Sequence, residues 1–451
     1  MEGSAPKPAE LARFVTGSTM RHVVVMTATA SVGLIAIFVV DLLSLLYISW
    51  LGDPRLTAGV GLATIVSFTT VSINVGLMIA IGALVSRALG AGDRERARRL
   101  ATSCCLHMTF AGGVVGLALL PELPWVLRFL GASDQTLPVA ETFLWIVLPS
   151  NILMAAGMGL SSVLRAVGDA QRGMYVTLFA AIATAVLDPI FIFVLDLGVV
   201  GAAMAIVLSR FLFVGIAYAY VTRVHDLLAR PHWRDVKTDA RPMYAIAAPA
   251  VLTNVATPLA NGVFASVIAR YGDQAIAATA IIDRLVPVAF GGLFALSGAV
   301  GPILGQNWGA RRYDRMRQAI KDAVIFTGVY VGLVWALLFA LQTPITTLFH
   351  AEGLTAELVQ FFCLVSGLMW FFIGLVFVAN ASFNNLGFPL LSTGFNWARA
   401  TLGIVPFAFL GAHLGGPKGA VLGLVAGSIP FGIAAILTAF WTVRKLERDA
   451  A

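Results

Sequence analysis

Long apolar stretches without a charged residue alternate along the whole chain with short, polar, turn-rich segments. A helix needs about 20 mostly apolar residues to cross the hydrocarbon core of a membrane. Each long stretch therefore predicts one membrane-spanning helix. Nine charge-free runs are close to that length or longer: 22–40, 57–86, 100–121, 142–164, 242–269, 285–310, 323–351, 400–417 and 419–443.

The remaining helices come from stretches that a charge or a turn interrupts. Asp188 and Arg210 interrupt two apolar segments near 174–196 and 199–222. The run 358–398 is long enough for two helices, with a turn between them at the cluster Asn384–Pro389. The second of these helices continues past Arg399 into the run 400–417. The pattern thus predicts twelve helices and an all-α polytopic membrane protein.

The composition agrees with a membrane protein and excludes an ordinary soluble protein and a disulfide-rich one. Hydrophobic residues make up 59% of the 451 residues and charged residues 12%, whereas an ordinary soluble chain has about 25% charged residues. The three cysteines are too few for a disulfide framework, and the six histidines show no metal-ligand spacing. The sequence therefore indicates no cofactor, no metal site other than a possible sodium site, and no enzyme.

Lysine and arginine are concentrated on one side of the predicted helices. If the N-terminus is cytoplasmic, 23 of the 30 lie in cytoplasmic segments and only Arg55, Arg128, Arg270 and Lys418 lie in outer loops. Basic loops stay in the cytoplasm, so we predict a protein of the cytoplasmic (inner) membrane with both termini inside. The net charge of +7 then reflects loops that face anionic membrane lipid, and no nucleic-acid partner is expected.

The chain repeats itself at an offset of about 218 residues. Gly90 aligns with Gly309, Arg96 with Arg315 and Arg98 with Arg317. Six helices separate the copies, so both begin on the same side, and transporters built from such parallel repeats place their sites between the halves. We predict an N-terminal lobe (1–222, helices 1–6), a cytoplasmic connector (223–241) and a C-terminal lobe (242–451, helices 7–12).

Several motifs resemble those of the MATE family, the multidrug and toxic compound extrusion transporters of the MOP superfamily. They are Val40-Asp41 followed by Leu51-Gly52, the loop 90–99, the segment Arg165–Asp169, the segment 187–193 and the segment Gly305–Arg312. The resemblance covers essentially the whole chain. It implies a V-shaped pair of six-helix lobes that expels organic cations in antiport with protons or sodium ions.

Two acids inside the predicted spans are the strongest candidates for chemistry. Asp41 and Asp188 each lie eight residues before the outer end of a helix, so both sit about 12 Å below the outer surface. Acids in spans are costly and usually face a cavity or pathway. We expect the pair to couple transport to an ion. Asp283 is a possible second acidic site, although we expect it to pair with a neighbouring helix, and Val405 stands where Asp188 would recur.

The resemblance also bears on which ion is coupled. Relatives with a cation site add carboxamide and hydroxyl groups to the acids, but here Thr184 and Ser161 stand where Asn is frequent and Ile206 where Thr is frequent. Sodium needs several oxygen ligands, whereas protonation needs only the carboxylates. We therefore expect protons to couple at Asp41 and Asp188, with Thr184 and Ser161 nearby, and sodium as the second choice.

Polar stripes and aromatic residues suggest a substrate surface. The candidates are Ser67, Thr70 and Asn74 on the second helix, Asn254, Thr257 and Asn261 on the seventh, and Trp370 and Asn380 on the tenth. Ordinary hydrogen bonds between helices explain such stripes equally well. We expect small cationic amphipathic substrates and a monomeric protein.

Two other functions are compatible with a polytopic membrane protein, an ATP-driven pump and a flippase. An ATP-driven pump would need a Gly-Lys pair in a phosphate-binding loop, and none occurs in the chain. A flippase for a lipid-linked or polysaccharide precursor has a related architecture, but would have more helices and a more cationic cavity. The flippase remains the alternative.

Overall fold

The computed structural model describes residues 12–450, and every regular element in that range is helical. A 3₁₀ turn (Arg13–Val15) precedes α1, and a short helix (Leu123–Phe129) precedes α4. The long helices are α1 (Thr19–Ser49), α2 (Pro54–Gly90), α3 (Arg94–Ala118), α4 (Leu137–Val147 and Asn151–Val167, bent by 52°), α5 (Ala170–Val194), α6 (Gly198–Val224), α7 (Trp233–Ala269), α8 (Asp273–Gly309), α9 (Tyr313–Leu348), α10 (Gly353–Asn385), α11 (389–414) and α12 (417–450).

The number of spans agrees with the prediction once the last helical segment is divided. Among residues 12–450, ten segments and the bent pair α4 are long and apolar enough to cross a membrane. The last segment, Pro389–Ala450, has 62 residues and leaves helical geometry at Gly415 and Gly416, where φ of Gly416 is 61°. Since about 20 residues cross a membrane, this segment holds two spans. The predicted all-α membrane protein with twelve helices is confirmed.

Two predicted boundaries can be compared with the helix ends. The turn at Asn384–Pro389 lies where expected, because α10 ends at Asn385 and Pro389 begins α11. The connector differs from the predicted segment 223–241, since α6 ends at Val224 and α7 already begins at Trp233. Only residues 225–232 of that segment lie outside helices.

Gly-Asp pairs mark several helix starts. Asp93 and Asp169 accept hydrogen bonds from the backbone N–H groups of Arg96 (2.9 Å) and Arg172 (3.1 Å), and so cap α3 and α5. The glycines before them have φ of 76° and 93°, a left-handed conformation that glycine adopts without strain. The Gly-Asp steps in the motifs are therefore turn-and-cap signals.

Asp169 also fixes the segment that joins the two halves. His225 Nε2 donates to its carboxylate at 2.8 Å, and the Arg172 guanidinium donates to the same oxygen. Burial alone would raise the pKa of Asp169, but these hydrogen bonds outweigh burial and hold that pKa well below its usual range. The start of the connecting segment is thus tied to the start of α5.

The two halves, α1–α6 and α7–α12, interlock through their first helices. Helix α1 packs on α5 of its own half and on α8 and α9 of the other, and α7 packs on α11 and α12 as well as on α2 and α3. Helices α2 and α8 also contact each other. We call the end of the bundle where α1 begins and α2 ends the basic end, and the other the opposite end.

At the basic end, α2 and α8 meet backbone to backbone. A methyl group added to Gly90 would lie 2.0 Å from the carbonyl oxygen of Gln306, and one added to Gly309 would lie 2.1 Å from that of Arg87. Gly90 and Gly309 are the glycines that the sequence repeat aligns, and the same spacing aligns Arg87 with Gln306. The two contacts are therefore equivalent, which is the arrangement expected around a pseudo-two-fold axis.

The segment before α1 lies across this contact. The buried Phe14 donates its backbone N–H to Gln306 Oε1 (2.9 Å), and its carbonyl accepts from Asn307 (3.2 Å) and Arg315 (2.9 Å). Arg13 donates to the carbonyl of Gly168 (2.8 Å) in the N-terminal half. Residues of both halves therefore hold this segment across the contact of α2 with α8.

Candidate functional site

The two acids lie on helices that pack against each other. Gly33 of α1 touches Thr177 of α5, since a methyl group on Gly33 would lie 2.2 Å from the Thr177 hydroxyl. Farther along, the hydroxyl of Ser44 donates to Asp188 Oδ2. Asp188 is 1% exposed, and its Oδ1 is enclosed without a hydrogen-bond partner among the described residues. A buried carboxylate is thus held by a single hydroxyl.

Asp41 lies close to this contact. It precedes Ser44 by three residues on α1, and residues at that spacing lie on the same helix face with Cβ atoms about 5–6 Å apart. Its side chain is exposed, unlike that of Asp188. Ser44 therefore lies beside both acids, one turn from Asp41 on its own helix and in hydrogen-bond contact with Asp188 of α5.

The backbone changes its winding directly after Asp188. The α-helical part of α5 ends at Pro189, and Ile190–Val194 form a π-helical turn whose hydrogen bonds include Leu195 N to Ile190 O at 2.9 Å. Proline lacks the N–H that a regular helix would use, and π-helical turns are frequent at functional sites. The helix that carries Asp188 thus changes type directly after this acid.

The two expected companions of the acids make no hydrogen bond to them. Thr184 donates to the carbonyl of Ala180 in its own helix (3.1 Å). Ser161 is buried on α4, and its hydroxyl has no partner among the described residues. Neither side chain therefore adds an oxygen ligand to Asp188 in this arrangement.

The polar stripe on α2 points into the N-terminal half. Thr70 donates to the carbonyl of Ser67 (2.8 Å). Asn74 is fully buried and donates to Asn151 Oδ1 (3.0 Å), and Asn151 in turn donates to the carbonyl of Gly112 (2.7 Å). Asn74 thus joins α2 to α3 and α4, the interhelical bonding that the sequence left open as an alternative.

The candidate substrate residues of the C-terminal half fall into two groups. Thr257 and Asn261 are exposed on α7, and Asn254 donates to the carbonyl of Ala250 in the same helix (3.1 Å). Trp370 and Asn380 are buried on α10. The structure therefore does not gather all of these side chains on one surface.

The two buried members have different surroundings. Trp370 stacks on Phe290 with ring centroids 4.6 Å apart, and its Nε1 has no partner among the described residues. Asn380 Oδ1 accepts from Ser392 (3.0 Å) and from Asn396 (2.9 Å) of α11. Asn380 thus joins α10 to α11, whereas Trp370 retains a free donor.

Asp283 lies exposed on α8, without a hydrogen bond or ion pair to any residue in 12–450. The expected partner on a neighbouring helix is not found among residues 12–450, and the role of Asp283 stays a prediction. The adjacent Arg284 is exposed as well. Successive helix residues point in different directions, so the two neighbours do not neutralise each other.

Two functional candidates were missed in the sequence. Ser44 could have been found, because a hydroxyl three residues after a membrane-embedded acid shares its helix face. Arg399 was recognised only as a charge inside a helix, yet it is 5% exposed and its Nε has no partner among the described residues. The lack of a partner cannot be recognised without the coordinates.

Comparisons with known proteins agree with this architecture. A family model described as MatE matches residues 30–190 and 249–410, once in each half and at the spacing of the sequence repeat. The chain is 27% identical over 417 residues to an FAD transporter of Shewanella oneidensis, covering 89% of this chain and 90% of that protein. It is 24% identical over 436 residues to the multidrug export protein MepA of Staphylococcus aureus, covering 93% of each.

Solved structures give the same result. A mutant of the Vibrio cholerae MATE transporter VcmN superposes with a TM-score of 0.90 at 25% identity, over 95% of this chain and 97% of that one. An outward-facing multidrug resistance MATE family transporter of the MOP superfamily superposes with a TM-score of 0.89 at 21% identity, over 98% and 100%. The matched family model, the relatives and the shared fold confirm the resemblance seen in the motifs, and the chain belongs to the MATE family of multidrug and toxic compound transporters.

Proposed function

We propose that this transporter exports small amphipathic organic cations from the cytoplasm in antiport with protons. It acts as a monomer in the cytoplasmic membrane, with the basic end and both termini inside, as the distribution of lysine and arginine favours. The observation that carries the proposal is the hydrogen bond from Ser44 to the buried Asp188, with Asp41 one turn away. An acid pair of this kind can exchange a proton for a positive charge.

The surroundings of Asp188 support proton exchange. A buried carboxylate that keeps one oxygen unpartnered is poorly stabilised as an anion, because buried charge needs full compensation. Protonation removes that cost, and a second acid nearby disfavours ionisation of both. A cationic substrate that approaches Asp41 and Asp188 supplies the missing positive charge, so substrate and proton compete for the same site.

Sodium is less well supported as the coupled ion. Hard cations prefer several oxygen ligands at once. Among the described residues only the Ser44 hydroxyl donates a hydrogen bond to the Asp188 carboxylate, while Thr184 bonds its own helix and Ser161 bonds neither acid. A proton requires none of these additional ligands.

The test uses everted vesicles from a host that lacks its own drug pumps. A pH gradient and a sodium gradient are imposed separately, and accumulation of ethidium and of FAD is measured; FAD is included because one relative is named an FAD transporter. We expect the pH gradient to drive ethidium accumulation in the parent and in Asp134→Asn, an exposed acid in a loop at the opposite end. Asp188→Asn should lose it.

Three outcomes would contradict the proposal. Accumulation driven by sodium alone would identify the other coupling ion. Transport of FAD but not of ethidium would reject the cationic substrate. Movement of a fluorescent lipid-linked sugar without ethidium transport would favour the flippase.

A further inference from the structure

A positive charge lies deep in the C-terminal half, where the N-terminal half has acids. Arg399 follows the start of α11 by ten residues, which places it about 15 Å from the basic end and near the middle of a core about 30 Å thick. It begins the π-helical turn Arg399–Ile404 and is 5% exposed. Its guanidinium is therefore surrounded by the helices of this half.

The side chain of Arg399 has no hydrogen bond or ion pair to any residue between 12 and 450, and its Nε is enclosed without an acceptor. Arg210, the membrane-embedded arginine of α6, provides the contrast. It donates to the carbonyl of Val147 (2.9 Å) and to Ser150 Oγ (2.7 Å). The chain can thus satisfy an embedded arginine, and at Arg399 it does not.

Four acids of the C-terminal half do not pair with Arg399, because three bond other residues and one is exposed. Glu357 pairs with Lys418 (2.7 Å), Glu447 pairs with Arg317, and Asp322 accepts from Thr19. Asp283 is exposed on α8. A buried charge is stable only when it is paired, and embedded ionisable residues usually face a pathway.

A polar stripe leads from the basic end to Arg399. Ser392, Asn396 and Arg399 follow each other at the spacing of one helix face. The first two donate to Asn380 Oδ1, so that oxygen already accepts the two hydrogen bonds that a carbonyl can take. Asn380 Oδ1 is therefore not available to accept a hydrogen bond from Arg399.

We propose that Arg399 is an anion-binding site, and that its ligand is a carboxylate or phosphate group carried by an exported solute. A planar guanidinium binds either oxyanion through two parallel hydrogen bonds. The proposal rests on the proposed export function only in assigning the ligand to a cargo. It assigns the acid group of a zwitterionic or anionic cargo to Arg399 in the C-terminal half.

The first experiment measures thermal unfolding of the purified full-length chain in detergent. The probes are 1-naphthoate, the uncharged 1-naphthamide and acetate. We expect naphthoate to raise the melting temperature of the parent and of Arg210→Gln, and naphthamide to have no effect. Arg399→Gln should lose at least tenfold in apparent affinity for naphthoate.

A naphthoate response in Arg399→Gln equal to that of the parent would overturn the proposed site. Acetate binding as tightly as naphthoate would overturn the assignment of the site to a cargo.

Two further measurements separate this site from a structural role and from proton coupling. Without any probe, Arg399→Gln should melt at no lower a temperature than the parent, because it removes an uncompensated charge. Arg210→Gln should melt at a lower temperature, because it loses the hydrogen bonds to Val147 and Ser150. A fall in Arg399→Gln as large as that in Arg210→Gln would make Arg399 structural and sink the proposal. Asp188→Asn should keep the full naphthoate response, so a failure of the coupling proposal would leave this result standing.

Discussion

Helices α5 and α11 occupy equivalent places in the two halves but carry opposite charge. Each combines a π-helical turn with a proline, Ile190–Val194 after Pro189 and Arg399–Ile404 before Pro406. The charged residue in the interior of α5 is Asp188, and that in the interior of α11 is Arg399. Pro189 and Pro406 correspond in the repeat, but the π-helical turn follows the proline in α5 and precedes it in α11. The two helices therefore share a kind of irregularity and differ in its position and in the charge they carry. A duplicated scaffold can therefore hold two different sites.

The partner helices differ in the same way. Helix α1 offers a hydroxyl to α5 through Ser44. At the spacing that aligns Gly90 with Gly309, the residue that corresponds to Ser44 on α7 is Val263. Helix α7 instead bonds α11 nearer the basic end, where Thr393 donates to the carbonyl of Pro249 (2.8 Å). At this position of its first helix, only the N-terminal half therefore provides a hydroxyl.

The largest expected effect comes from removing the acids of the N-terminal half. Each charge moved across 100 mV is worth about 2.3 kcal/mol, or roughly a 50-fold change in accumulation. Asp41→Asn and Asp188→Asn should each reduce ethidium accumulation in everted vesicles by about this factor. If the acids form one unit, the double variant should be no worse than either single variant.

The same measurement shows whether Asp41 and Asp188 act together or independently. Losses that simply multiply in the double variant would show that Asp41 and Asp188 act independently, against the arrangement around Ser44. Asp134→Asn is the matched control, because this acid is exposed in a loop and should transport as the parent does.

The contact at the basic end gives the next largest effect. Valine at Gly90 or at Gly309 would place a side chain within 2.1 Å of a backbone carbonyl of the facing helix. Overpacking of this kind costs about 1–3 kcal/mol, so both variants should unfold at lower temperature, and by similar amounts if the contacts are equivalent. Gly332→Val is the control, since nothing lies within 4 Å of a methyl group there. A large difference between the two variants would break the equivalence of the halves at this end.

The helices, the repeat and the two acids could be predicted from the sequence. Apolar runs predicted the helices, because a span must be long and uncharged, and the aligned Gly90 and Gly309 predicted the repeat. Asp41 and Asp188 stood out because acids in such runs are rare. Asn74 and Thr257 carried the same signal, yet one is fully buried and the other is exposed. Polarity inside a helix does not reveal which neighbour it faces.

The unpredicted features all depend on the relative rotation of packed helices. Ser44 is one of several hydroxyls on α1, and only the packing of α1 on α5 selects it as the donor to Asp188. Likewise, a proline predicts an irregular helix but not whether a π-helical turn follows it. The missing partner of Arg399 is a property of the surrounding side chains, which come from several helices.

A smaller effect is expected from removing the hydroxyl that links α1 to α5. Ser44→Ala leaves both acids in place but removes the hydrogen bond to Asp188, and one such bond contributes about 1 kcal/mol. We expect a roughly fivefold lower initial rate of ethidium uptake in everted vesicles, with uptake still driven by the pH gradient. Ser49→Ala is the matched control, because Ser49 bonds only its own helix, at Leu46. A loss as complete as that in Asp188→Asn would assign the coupling role to Ser44 itself.

The smallest expected effect tests whether the two halves are interchangeable. Adding Val405→Asp to Asp188→Asn places an acid at the equivalent position of α11, and adding Val263→Ser supplies the equivalent hydroxyl. We expect Val405→Asp alone to restore no pH-driven ethidium accumulation, because an acid there has no hydroxyl partner and an unpartnered acid costs about 2.5–3.5 kcal/mol. The triple variant should also gain little, since Arg399 adds a positive charge to the interior of α11 that the interior of α5 lacks. Recovery in the triple variant to near the parent level would show that a carboxylate and a hydroxyl suffice in either half, and that the opposite charges of α5 and α11 do not divide the work between them.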